Sequence, residues 1–151
     1  MTATNKEVIS VLNDLIETSK DGEKGFAACA KDVKNVELKQ VFTKHAQECA
    51  QAANELQTEV VSLGGKPEDS TSVSADLHRF WVDIKSSVTG KSEEAILNEA
   101  ERGEDHAKAV YEKALKKDLP SNVRSIVERQ YHGVQRNHDQ VKALRNIARA
   151  S

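Results

Sequence analysis

LGGKPEDSTSVSADLHRFWVDIKSSVTGKS, residues 63–92, is the stretch whose reading decides how this chain folds. It opens on Gly64-Gly65 with Pro67 beyond, a strong signal for the end of a helix. Lys66 to Ser74 is polar and rich in turn formers. From Ser74 to Val88 the side chains of Leu77, Trp81, Ile84 and Val88 fall at helical spacing, with Phe80 beside them, and Thr89-Gly90 closes the pattern. The spacing predicts a short helix over 74–88, lying on the body of the molecule rather than inside it. The whole stretch reads as a connection and not as a domain boundary.

On its N-terminal side the sequence predicts two long helices. The first, over 4–32, starts with Thr4 followed three residues later by Glu7, the pattern of a capping box. Its inward positions Val8, Leu12, Leu15, Ser19, Gly22, Phe26, Ala30 and Val33 step by three and four. The second, over 36–63 with Asn35 as its N-cap, turns Leu38, Val41, Phe42, His45, Cys49, Ala52, Leu56, Val60 and Leu63 to the same core. On the C-terminal side two more long helices are expected. One, over 92–117, has Glu93 and Glu94 in a first turn that suits the helix dipole, and an inward stripe running from Ile96 to Leu115 through Ala100 and Glu104. The last, over 120–149, is opened by Pro120 and faces inward with Val123, Val127, Gln130, Val134 and Val141.

Topology follows from the lengths of the connections. Short turns between the first two helices and between the last two force antiparallel neighbours. The middle connection is long enough to cross the bundle: about 15 helical residues reach ~22 Å and an extended lead-in adds ~30 Å, against a bundle of roughly 42 Å. The second and third long helices are therefore expected to run parallel. The fold class is all-α, a four-helix bundle with one long crossover that carries a short extra helix, which is the ferritin-like arrangement. Residues 1–151 read as a single domain on length alone.

Composition agrees: 30% of residues are charged, 38% are hydrophobic and only two are proline. No apolar run reaches the roughly 20 residues of a membrane span, and MTATNKEVIS lacks the apolar core of a signal peptide, so no membrane partner and a cytoplasmic address are expected. Cys29 and Cys49 fall ~15 Å apart along the bundle and read as buried thiols. The net charge of −2 argues against a dedicated nucleic-acid binder. The six Lys and Arg between Pro120 and Ser151 spread around their helix without aromatic residues between them and read as a solvated face.

Chemistry concentrates at mid-height. Counted from the helix ends, Glu23, His45, Glu48, Glu104 and Gln130 all fall about 11 to 14 residues deep, in one layer. Gly22, Gly25, Gly103 and Gly133 fall in the same band, although each helix-interior glycine costs about 1 kcal/mol against alanine. Carboxylates from three helices in an apolar core repel one another and are expensive to desolvate. Three arrangements relieve them: protonation of the acids, a metal bridging hard oxygen ligands, for which iron or manganese is the candidate cofactor, or inward-folded cations, for which Lys20, Lys24, Lys44 and Arg102 are candidates. Glu101, one turn from Glu104, is the additional ligand if a metal site extends. His138 with Asp139 reads as a capping or surface pair, His106 and His132 as exposed, and His78 as packing the crossover helix. There is no phosphate loop, dinucleotide turn, Cys-x-x-Cys or nucleophile elbow, so no complete catalytic motif exists and any enzymatic activity rests on a metal.

The phrases LNDLIETSKDGEKGF (12–26), LHRFW (77–81), AERGEDHAKAVYEKAL (100–115) and QYHGVQRNHDQVKALR (130–145) resemble an uncharacterised bacterial family of ferritin-like four-helix-bundle proteins, known only as a domain of unknown function. Within the broader ferritin superfamily the pattern implied is a Glu on the first helix, Glu-x-x-His on the second, a Glu on the third, and Glu-x-x-His or a Gln on the fourth. Glu23, Glu48, Glu104 and Gln130 match the carboxylate and amide places. The histidine places differ, with Gln51 three after Glu48 and Gly133 three after Gln130, and His45 stands one turn before Glu48. The mid-height layer is expected to bind one or two iron or manganese ions through Glu23, Glu48 and Glu104, completed by Gln130 and by His45 or Glu101, for metal or redox stress handling. The alternative expectation is a metal-free helical scaffold acting through protein association, including a homo-oligomer, by way of Phe80 and Trp81 or the basic face of the last helix.

Overall fold

The computed structural model describes residues 4–67 and 93–150. They form four long helices, α1 (Asn5–Asp32), α2 (Val36–Ser62), α3 (Glu93–Leu115) and α4 (Ser121–Ala150), and no strand occurs among the described residues. The short helix expected over 74–88, with His78, Phe80 and Trp81, lies outside them.

The ends of the helices follow local chemistry. The Thr4 hydroxyl accepts from the backbone N–H of Glu7 at 3.2 Å, and the Asn35 side chain accepts from Leu38 N at 3.1 Å, so each oxygen satisfies an amide that the first turn would leave bare. α2 stops at Ser62 because Gly64 turns to φ +83°, a conformation that L side chains rarely adopt. α3 ends at Leu115 and not at 117: Lys116 and Lys117 donate to carbonyls three residues back, at 3.3 and 3.0 Å, in a tightened last turn. The Arg124 guanidinium then donates to the free carbonyls of Leu115 and Lys117 at 3.0 and 2.6 Å and ties the start of α4 to the end of α3. Pro120 stands one residue ahead of α4 and gives its carbonyl to Arg124 N at 2.8 Å, so it precedes the first helical turn.

Packing divides the core in two. One cluster joins Phe26, Cys29 and Val33 of α1 with Leu38 and Phe42 of α2, Ile96, Leu97 and Ala100 of α3, and Val141 of α4. The other joins Val8, Leu12 and Leu15 of α1 with Leu56 and Val60 of α2, Tyr111 and Ala114 of α3, and Val123 and Val127 of α4. The end of α1 thus meets the start of α2, the start of α3 and the end of α4. That pairing makes α2 parallel to α3, with α2 finishing at the opposite end from where α3 begins. α1 packs on α2 and α3, and α4 on α3 and α2, so neighbours around the ring are antiparallel and the parallel pairs lie on its diagonals. No described helix is long and apolar enough to cross a membrane.

Candidate functional site

Between the two apolar clusters lies a layer of different character. α1 offers Ser19 and Gly22 there, α2 offers Glu48, Cys49 and Ala52, α3 offers Gly103, Glu104 and Ala107, and α4 offers Gln130 and Gly133. These short or polar side chains leave a partly enclosed cavity of about 510 Å³. Three of the four helix-interior glycines, Gly22, Gly103 and Gly133, line it, and Gly22 and Gly133 serve different ends. A Cβ on Gly22 would stand 3.0 Å from Cys49 Sγ, so glycine there lets α1 approach α2. A Cβ on Gly133 would meet only the Arg136 guanidinium, at 3.6 Å, so glycine there leaves room.

At the cavity wall sits a buried pair. His45 Nδ1 lies 3.3 Å from Glu104 Oε1, with the two side chains 0% and 4% exposed. The contact lacks hydrogen-bond alignment, and both atoms keep unmet hydrogen-bonding capacity. His45 Nε2 meets Gln140 Oε1 at 3.1 Å, and the imidazole edge is held against the Phe26 ring at 5.4 Å between centroids. Burial alone would lower the pKa of His45, but Glu104, Gln140 and Glu48 outweigh it and raise it overall. Burial pushes the Glu104 carboxyl up as well, against the opposing pull of His45. With both affinities raised, the pair holds a proton more tightly than either group would in water. The Cys49 thiol beside them is pushed up by burial and by Glu104, Glu48 and Glu23, so it stays protonated and unreactive.

The remaining residues expected at mid-height are each engaged. Glu48 accepts from the Asn137 amide at 3.1 Å. Glu23 is half-buried and close enough to Cys49 to act on it electrostatically. Gln130 is turned toward the other end of the cavity, where its Oε1 accepts from Tyr111 OH at 2.8 Å and its Nε2 donates to Glu55 Oε1 at 2.8 Å. Arg129 donates to the same Glu55 carboxylate. The structure therefore brings His45 and Glu104 into contact, sets Glu48 and Glu23 within electrostatic reach, and holds Gln130 with Glu55 and Tyr111.

Glu101 faces a different way, into the seam between α3 and α4. Its Oε2 accepts from Arg145 and its Oε1 lies 3.6 Å from His138 Nε2. That nitrogen is 2.6 Å from Asp105 Oδ1, and His138 Nδ1 is 3.3 Å from Asp139. Glu101, Asp105 and His138 each present one ligand atom, all within 4.8 Å of one another, and no other group of three or more His, Cys, Asp and Glu among the described residues does so. His138 is thus largely buried in an acidic cluster and is not a surface cap. The pattern that marks the site is Glu101 with Asp105 one turn on, opposite His138 with Arg145 two turns on, in antiparallel helices.

Three cations of α4 pair with acids on neighbouring helices: Arg129 with Glu55, Arg145 with Glu101 and Arg149 with Glu94. Lys24 and Lys44, expected to fold inward, are exposed. Much of the basic face of α4 is in this way turned to its neighbours. No curated protein matches the chain. Residues 7–117, from the first turn of α1 to just past α3, match the family model described as Domain of unknown function (DUF2383), and the chain belongs to that family.

Proposed function

We infer that the bundle binds one divalent ion of the manganese or iron class at Glu101, Asp105 and His138, as a ferritin-like metal-handling protein. The observation that carries this reading is the convergence of two carboxylate oxygens and one imidazole nitrogen within 4.8 Å on facing helices. The donor set fits the ion: hard carboxylates with a borderline imidazole suit manganese and iron, and the exposed flank at Asp105 leaves coordination places for water. Bound there, a redox-active ion would supply one-electron chemistry, the source of the metal or redox stress handling expected from the sequence. Glu23, Glu48, Glu104, His45 and Gln130 supply an acidic, hydrogen-bonded layer behind the site.

Arg145 competes with the ion for Glu101. Titration of chelator-treated protein with Mn(II), followed by the loss of the free-ion paramagnetic resonance signal, tests the site. One equivalent is expected to bind; Asp105→Asn with His138→Gln abolishes binding, and Arg145→Gln strengthens it by releasing Glu101. Binding that survives the double substitution would place the ion elsewhere.

The pairing of Arg145 with Glu101 and of Arg129 with Glu55 favours a second reading, a metal-free scaffold acting through association with a second copy or another protein. Under that reading Mn(II) does not bind and does not restore the stability lost in Arg145→Gln, and chelators leave oligomeric state and stability unchanged.

A further inference from the structure

His138 is gripped on both edges of its ring. Nε2 lies 2.6 Å from Asp105 Oδ1 and 3.6 Å from Glu101 Oε1, the two acids that share the ion site with it. Nδ1 meets Asp139 Oδ1 at 3.3 Å. We propose that Asp139 is a positioning residue of that site: it keeps the hydrogen of the neutral imidazole on Nδ1 and so turns the lone pair of Nε2 toward the ion. Asp139 acts here through His138 and touches no ion itself, and its role stands on the metal reading above.

The contact is not one that the helix supplies by default. Side chains next to each other in sequence do not face each other on a helix, whereas those three or four apart do. Lys142 stands three residues beyond Asp139, at the spacing of an ion pair. Among the described residues Asp139 nevertheless has no hydrogen-bond or ion-pair partner besides His138. It is also no ligand, since the ligand atoms that converge within 4.8 Å are those of Glu101, Asp105 and His138.

The chemistry of the pair decides which nitrogen is left for an ion. An ionised carboxylate only accepts, so Nδ1 must donate to Asp139. A neutral imidazole carries one N–H, so Nε2 is then bare. With the hydrogen on Nε2 instead, the ring would present a donor to the ion and could not coordinate it. Turning the ring over would set carbon atoms against Asp105 and Asp139, so the acids on its two edges fix its plane as well. His138 is 12% exposed and confined, while Asp139 is 80% exposed and keeps its charge without leaving water. A carboxylate placed behind a ligating imidazole in this way orients the ring and raises its basicity.

Chelator-treated full chain titrated with Mn(II), with the free ion followed by its paramagnetic resonance signal, tests the proposal beside Asp139→Asn and Asp139→Ala. Alanine removes the acceptor and should weaken binding about 10–100-fold. Asparagine keeps a neutral acceptor and should fall between alanine and the wild type. Because Asp139 is exposed, the thermal midpoints of the metal-free variants should not fall, which separates a loss of affinity from a loss of fold. Zn(II), a diamagnetic probe, shows the ring itself: nitrogen–proton correlation spectra of the Zn(II)-loaded wild type should find the hydrogen of His138 on Nδ1 and the metal on Nε2. Equal Mn(II) affinity in the wild type and Asp139→Ala overturns the proposal and leaves the metal reading standing. So does Zn(II) on Nδ1, or an asparagine variant as weak as the alanine one, which would reduce Asp139 to a nearby charge. A wild type that binds no Mn(II) overturns the metal reading and this role with it.

Discussion

The two ends of the bundle and its middle are built on opposite principles. At the ends, Phe42, Leu12, Leu15 and Leu56 are fully buried among other apolar side chains, and their packing sets the register of the helices. In the middle, four helices contribute Ser19, Gly22, Cys49, Gly103, Glu104 and Gly133, residues too small or too polar to fill the space between them. The contrast teaches where stability resides and where it has been relinquished. Apolar ends hold the frame, and the frame forces acids and an imidazole into proximity that they would not adopt in water.

The comparison is broken most severely by emptying an end. Phe42 stacks on Phe26 at 6.1 Å and is 0% exposed, so Phe42→Ala should cost about 3–5 kcal/mol, read as a lowered denaturation midpoint with an unchanged slope. Next comes the seam beside the middle. Arg145→Gln leaves the Glu101 carboxylate without its cation in a largely buried place and should cost about 1–3 kcal/mol in metal-free protein. Added Mn(II) should recover that loss if the ion takes the place of the guanidinium, and should not if the cluster is only an ion-pair network.

A smaller effect, of opposite sign, is expected at the cavity. Gly133→Ala should stabilise the fold by about 1 kcal/mol, because the helix gains and nothing is crowded. Gly22→Ala should gain nothing or destabilise, since its Cβ would press on Cys49 Sγ at 3.0 Å. Thermal unfolding of the two variants side by side separates a glycine kept for room from one kept for close approach.

The last effect is a dependence on pH. The pKa of His45 is raised in the folded protein, so the folded state keeps a proton that the unfolded chain gives up above about 6.5. The stabilisation is complete below that value and is lost as pH rises through the folded pKa. Glu104, also raised, acts in the same sense from its own ordinary value upward. Stability should therefore fall between pH 6.5 and the folded pKa of His45, and His45→Gln should flatten that part of the profile. An unchanged slope in the variant would mean that another group carries the proton.

Much of the frame was legible in the sequence, because burial along a helix repeats with a period that residue types reveal. Every inward position assigned to the first helix, from Val8 through Gly22 to Val33, is buried, and the Thr4 and Asn35 caps are formed. Depth was legible too, since residues counted from the turns share a layer once the rise per residue is fixed. Rotation was not. Glu101, Glu104 and Asp105 are close in sequence, but Glu104 points into the core and the other two point across to α4. That choice depends on how α3 is turned about its axis against its neighbours, which tertiary packing decides and which a single sequence does not carry. Gln130 shows the same limit: its depth placed it near the acids, and its rotation delivered it to Tyr111 and Glu55. His138 reads as a capping or surface residue because it falls about two turns above the mid-height layer, while its principal partners, Glu101 and Asp105, lie on another helix.

The most direct test of the central claim is elemental analysis of protein purified without chelator or affinity tag from cells grown with added manganese and iron, beside the Asp105→Asn/His138→Gln variant. The account predicts close to one manganese or iron per chain in the wild type and almost none in a variant that folds normally. Protein free of metal under those conditions, or equal metal in both, would contradict it.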